Sequence, residues 1–204
     1  MTIGKGTDWG MPGPVPAGLI ARGDDRSLAR DLAGGRDGVA SAGDMATTIG
    51  CSRAPEVGEP GRRLPIDLMD VEITWRGDRR TVVAVSHVSI REPLRRGGRL
   101  RGEVRWIMNA QYFAGRDLVP RGHPNDGRLE VLSIDATMGV RQRILAWNRS
   151  RTGRHLPHPL ITVRSTKEIT VACRGRVVVV DGVRSGRADE VVVRVRPDVA
   201  FLWI

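Results

Sequence analysis

Three short stretches of this sequence carry residue types that could do chemistry. In Gly4-Lys5-Gly6-Thr7-Asp8-Trp9 two glycines flank a lysine and a carboxylate follows closely. Backbone N–H groups of a glycine-rich turn can approach a phosphate, and a lysine there neutralises its charge. A motif this short also arises from chance glycines in a terminal segment. Pro124-Asn125-Asp126-Gly127 is well suited to a β-turn and carries a carboxylate. His155 and His158 have a spacing that suits metal ligation, but Pro157 and Pro159 favour a rigid loop and no third ligand is nearby. There is no Gly-x-Ser-x-Gly nucleophile elbow, and neither Cys51 nor Cys173 has a metal or redox spacing or a histidine partner.

The elements that must position these residues change in texture along the chain. Residues 1–65 are rich in Gly and Pro and read as loops with small helices. Ser27–Ala33 is one helix, with Leu28 and Leu32 four apart and Gly34-Gly35 as its stop. Ala40–Ile49 could supply a second. From Ile66 onward the pattern is strands: 66–75, 81–90, 103–113 and 128–135, then 160–165, 168–173, 176–181 and 190–196. A helix is expected from Met138 to Arg149, and the apolar Phe201–Ile204 pairs as a final strand. The expected fold is α+β, mostly β: an antiparallel β-sandwich-like domain over 66–204 with one inserted helix, behind a loop-rich N-terminal region over 1–65. No βαβαβ alternation is present, which excludes a complete doubly wound nucleotide-binding domain.

Charge narrows the partners. The net charge is +10, and Lys occurs only at positions 5 and 167, so the basic side chains are nearly all Arg. Such a chain is drawn to polyanions, including an anionic membrane face or a phosphorylated ligand, although an Arg bias also follows from genome composition. The arginines are dispersed among acids, and aromatic RNA-stacking strands and zinc spacings are absent, which argues against nucleic acid. No apolar stretch approaches the roughly 20 residues that span a bilayer. The first residues lack the apolar core of a signal peptide, so a cytoplasmic, reduced protein is expected, with peripheral contact to an anionic membrane allowed.

Several stretches together resemble one family, the C-terminal domain of bacterial diacylglycerol kinases and related lipid kinases. Gly4–Trp9 is similar to the family's G-T-G-N-D-F element. Asn109-Ala-Gln-Tyr-Phe-Ala-Gly115 with Pro120-Arg-Gly-His-Pro-Asn-Asp-Gly-Arg-Leu-Glu-Val131 resembles its N-x-x-y-f-g-G … P-x-D-G-x-L-d-V block, the most specific part. Gly153-Arg-His155 with Pro159–Val163, and Val180-Asp181-Gly182 with the proline-led ending from Pro197, continue the order. The resemblance runs from about residue 4 to 204. The stretch from Ile90 to Glu103 departs from it, because members carry further strands and a helix there.

The resemblance implies roles. Gly4, Lys5 and Gly6 would lie at the nucleotide, where Lys5 replaces the usual Thr or Ser, and Asp8 would keep the acidic residue near the transferred phosphate. The Asp126 carboxylate with the carbonyls of His123 and Arg128 would hold a structural Mg²⁺, a set of hard oxygens suited to that ion; a turn without metal is the alternative. After Asp181-Gly182 the family places a Glu, the general base for the lipid hydroxyl, but this chain has Val183, which accepts no proton. Asp181 is the nearest substitute. The family's nucleotide-gripping G-G-D-G-T is absent. Two readings follow: a domain that is non-catalytic alone and binds a lipid or phosphorylated small molecule, or a lipid-kinase half completed in trans. The second needs a nucleotide-binding partner protein to supply ATP. A homodimer is compatible with either.

Overall fold

The structure is a computed structural model that describes residues 9–51 and 53–204. In chain order the strands and helices are β1 (Met11–Pro14), β2 (Ile20–Arg22), α1 (Asp25–Ala33), β3 (Gly38–Ala40), α2 (Asp44–Ile49), β4 (Pro60–Trp75), β5 (Asp78–Ala84), β6 (His87–Arg91) and β7 (Val104–Met108). There follow β8 (Tyr112–Phe113), β9 (Arg116–Asp117), β10 (Leu129–Ile134), α3 (Val140–Arg149), β11 (Ile161–Thr166), β12 (Glu168–Val180) and β13 (Val183–Trp203). The fold is α+β and mostly β. Its long path of strands runs β1-β4-β13-β12-β6-β7-β10-β11, with β5 beside β4 and β3 beside β13. Among the described residues the two halves of the expected sandwich are one continuous sheet, since β12 links β13 to β6 without a break.

Alternation explains how that sheet serves two cores. On β4 the even residues Leu64, Ile66 and Leu68 pack with Leu28, Leu32 and Met45 of the helices, whereas the odd residues Met69, Val71 and Ile73 face the other way. That second face joins Val88, Ile107, Leu129, Val131 and the valines of β12 and β13, so the sheet curls around a core shared by distant strands. A third cluster sits on the outer face of β7 and β10, where Trp106, Met108 and Leu132 meet Met138 and Ala146 of the α3 region.

Three local differences from the sequence expectation have physical causes. The segments 168–173 and 176–181 form the single strand β12, interrupted by a register shift between Ala172 and Arg176. Arg174 (φ 51) and Gly175 (φ 77) take left-handed conformations there. The inward set consequently changes from Ile169, Val171 and Cys173 to Val178 and Val180, which keeps apolar residues on the core side across the irregularity. Conversely, 81–90 is broken between β5 and β6, where the amides of Val85 and Ser86 are taken by a side chain instead of a ladder. The second helix starts at Asp44 because the Asp25 carboxylate accepts the Asp44 and Met45 amides (3.0 and 3.3 Å), and 38–40 is a strand.

The N-terminal region contributes β1 to the edge of β4, and β2-α1-β3 forms one small parallel crossover beside β13. Residue 65 lies inside β4, and α1 and α2 share a core with β4 and β13. Among the described residues no helix is long and apolar enough to cross a membrane.

Candidate functional site

The chain reverses direction between β12 and β13 through Asp181 and Gly182, whose φ angles of 46 and 77 place both central residues in the left-handed region that a two-residue hairpin favours. Asp and Gly adopt it readily, which is why this dipeptide stands here. The turn folds the Asp181 side chain inward. Its Oδ2 accepts the Val85 amide at 3.0 Å, and its Oδ1 accepts those of Ser86 and His87, both at 3.0 Å. Burial pushes the carboxyl up to about 7 against the pull of those amides, and the nearby Asp25 charge adds to the rise. Val183 is half exposed just beyond the turn.

The residues clamped by Asp181 carry the next polar groups. Burial also raises Asp25, whose carboxylate accepts hydrogen bonds from Ser86 and from the start of α2. His87 is buried, with Nδ1 3.3 Å from Ser86 Oγ and 3.4 Å from Asp44 Oδ2, while its ring meets Phe113 edge-on at 4.7 Å. Burial drives His87 down to about 4, helped by the Arg99 charge, and pushes Asp44 up to about 6. Asp44 also accepts the Ala114 amide at 2.7 Å. Ligand atoms of Asp25, Asp44 and His87 all lie within 4.8 Å of one another, close enough to hold one cation. At neutral pH, Asp44 is ionised and His87 neutral, the states a metal would need.

A second centre surrounds the Asp126 turn. Asp67, wholly buried on β4, accepts the Gly127 amide (2.7 Å), the Asp198 amide (2.9 Å) and the Asn125 side-chain amide (3.3 Å). Burial raises its carboxyl, and the two backbone bonds oppose that rise. Asn125 donates as well to Asp198 Oδ1 at 2.8 Å. Asp126 Oδ1 accepts the Arg128 amide at 2.9 Å, and burial together with the Asp67 and Glu130 charges pushes this carboxyl up to about 6. The Arg128 guanidinium turns away to Ser165. Asn109 connects the two centres: its side-chain amide donates to the Asp67 carbonyl at 2.8 Å and to the Val85 carbonyl at 2.9 Å.

Of the residues singled out in the sequence, Gly4, Lys5, Gly6 and Asp8 lie outside the described residues. Trp9, the end of that stretch, is described: its ring meets His123 edge-on at 4.6 Å and its indole N–H donates to the Pro65 carbonyl. Asp126, His123 and Arg128 share one turn, and Asp181 is joined to it through Asn109 and Asp67. His155 and His158 do separate local jobs, the first within 3.1 Å of the Leu118 carbonyl and the second accepting the Leu160 amide. Asp25, Asp44 and Asp67 were not anticipated. Asp67 had a signal, a charge on the face of β4 that otherwise carries Met69, Val71 and Ile73. The two helix-start aspartates had none, because their meeting with His87 is purely tertiary.

No family model matches the chain, and no curated protein matches it. Similar solved structures include three from Bacillus anthracis str. Sterne. One, described as "a putative diacylglycerol kinase", has a TM-score of 0.49 and 10% identity over 69% of this chain and 57% of that one. Another, described as a diacylglycerol kinase, has a TM-score of 0.40 and 14% identity over 69% of this chain and 54% of that one. A third of the same description as the first has a TM-score of 0.40 and 15% identity over 66% of this chain. The chain spans 39% to 57% of the length of these structures.

Proposed function

We propose that the chain is a lipid-kinase-type C-terminal domain that transfers no phosphate on its own and binds a lipid or a phosphorylated small molecule. The observation that carries this reading is the engagement of Asp181. A general base must be free to take a proton from the substrate hydroxyl. Here both carboxylate oxygens face three backbone amides, and the position beyond the turn is the hydrocarbon Val183. Phosphoryl transfer rests on positioning and charge stabilisation of the phosphates, and the sequence motif that would grip them is missing.

Mg²⁺ fits the Asp126 turn by donor chemistry. Asp126 Oδ2 makes no hydrogen bond among the described residues, and the neighbouring Asp67 and Glu130 charges make the place favourable for a cation. Asp126 with the His123 and Arg128 carbonyls would hold the ion and stiffen the turn.

The test is ATP and diacylglycerol binding by the purified chain, with and without Mg²⁺, alongside transfer of labelled γ-phosphate to diacylglycerol. Lipid binding without transfer is expected, for Val183→Glu as well, since the nucleotide motif remains missing. Phosphorylation by the unmodified chain would overturn the reading.

A second reading, a kinase half completed in trans, is favoured by the contact of Trp9 with His123, which brings the end of the glycine motif to the Asp126 turn. Mixing the chain with a separate nucleotide-binding domain of a lipid kinase should then produce transfer that Asp126→Ala weakens.

A further inference from the structure

The helix α3 is inverted in polarity. Its arginine Arg143 is buried at 4% exposure, whereas Val140, Ile144 and Leu145 are 38%, 47% and 55% exposed. Among the described residues the buried guanidinium donates to no carboxylate, although the Asp135 charge lies near; it donates to the carbonyls of Met138, Arg99, Gly102 and Asp135 at 2.6–3.0 Å. Two of those carbonyls belong to the segment 94–102, so Arg143 fastens that segment to the helix. The segment presents Leu94 at 81% and Leu100 at 47% exposure. Beside them the Arg99 and Arg116 guanidinium groups lie over the Trp147 ring at 5.6 and 4.3 Å.

This face is predominantly basic, with the exposed Asp135 ahead of α3 as an acid at its border. Residues 93–102 contain four arginines and no acid, and 136–154 contain no acid either. The flanking Glu92 and Glu103 are held by Arg176. Among the described residues, exposed Arg95, Arg101, Arg141 and Arg149 make no ion pair. Aliphatic side chains standing in water among unpaired arginines match a surface that offers hydrocarbon beneath negative charge.

The geometry points to α3 and the 94–102 segment as a docking surface for an anionic lipid membrane. Val140, Ile144, Leu145 and Leu100 enter the acyl boundary while the arginines lie at the phosphates. A second copy of the chain suits this face poorly, since a two-fold contact would set arginines against arginines. Nucleic acid would leave the aliphatic side chains without a partner. The inference stands apart from the kinase question, because Arg101, Arg141, Ile144 and Leu145, the residues that test it, belong to neither polar centre.

The full chain should sediment with vesicles of phosphatidylcholine mixed with phosphatidylglycerol and stay in solution with phosphatidylcholine alone. Arg101→Ala and Arg141→Ala should each weaken binding roughly fivefold, and Ile144→Ser with Leu145→Ser should weaken it by about tenfold or more. These exposed positions leave the circular dichroism and melting temperature unchanged, which separates lost docking from lost folding. Failure to bind the anionic vesicles overturns the inference, as does undiminished binding by the Ile144/Leu145 variant. A dimer in sedimentation that this variant dissolves would also overturn it, by assigning the face to a second copy.

Discussion

Asp181 and His87 hold each other reciprocally: the Asp181 amide donates to the His87 carbonyl at 2.9 Å, and the His87 amide donates back to the Asp181 carboxylate at 3.0 Å. One residue is in a hairpin turn and the other begins β6. The exchange closes the end of β12 onto β6 and fixes the path of Val85 and Ser86. The same carboxylate is thereby turned into a clamp for backbone.

Asp181→Ala should therefore destabilise the fold by about 3 kcal/mol or more, because three buried amides lose their acceptor and a side chain is forced to hold a positive φ. Asp181→Asn tolerates that φ and keeps one acceptor oxygen, so its loss should be smaller. Denaturant unfolding of the two variants checks the order; equal losses would mean the amide bonds contribute little.

Asp67→Ala should loosen the Asp126 turn from β4. Asp67 is the common acceptor for Gly127, Asp198 and Asn125, and removing it leaves buried donors unmet at a cost of about 3 kcal/mol. Amide exchange should speed up at Gly127 and Asp198 more than in α3. Uniform acceleration across the chain would argue against a local anchor.

Asp44 and His87 set opposing pH dependences. Asp44 has a folded value near 6, above its usual 3.8, so the fold binds more protons than the unfolded chain between those values, and this contribution to stability is lost as pH rises from about 4 to 6. His87, lowered from 6.5 to about 4, binds fewer protons when folded, so its contribution is present above 6.5 and lost as pH falls towards 4. Asp44→Asn should remove the first effect: relative to the unmodified chain it should gain stability between pH 4 and 6, by roughly 3 kcal/mol at most. A flat difference across that window would refute the raised Asp44 value.

If Mg²⁺ seats at Asp126, it competes with a proton on a carboxyl raised to about 6. Affinity should rise from pH 5 to 7 and level off above, and Asp126→Asn should abolish both the binding and its pH dependence. Isothermal titration at several pH values decides this, and pH-independent binding would place the ion elsewhere.

Much of the fold was legible in residue order. Alternation of apolar residues marked the strands from Ile66 onward, the spacing of Leu28 and Leu32 marked α1, and Pro124–Gly127 marked its turn, because each is a local preference written over a few neighbouring positions. The joining of 168–173 to 176–181 was not legible, since a register shift at Arg174-Gly175 is decided by what β13 offers across the ladder. The site divided in the same way. Asp126 was visible through turn chemistry, Asp181 only through the family resemblance, and Asp67 left a trace as a charge on an apolar face. The meeting of Asp25, Asp44 and His87, the amides gathered on Asp181 and the burial of Arg143 beneath an exposed Ile144 were settled by tertiary packing alone. A carboxylate or guanidinium reads the same in sequence whether water or a folded backbone will satisfy it; distant chain segments brought to within 3 Å make that choice.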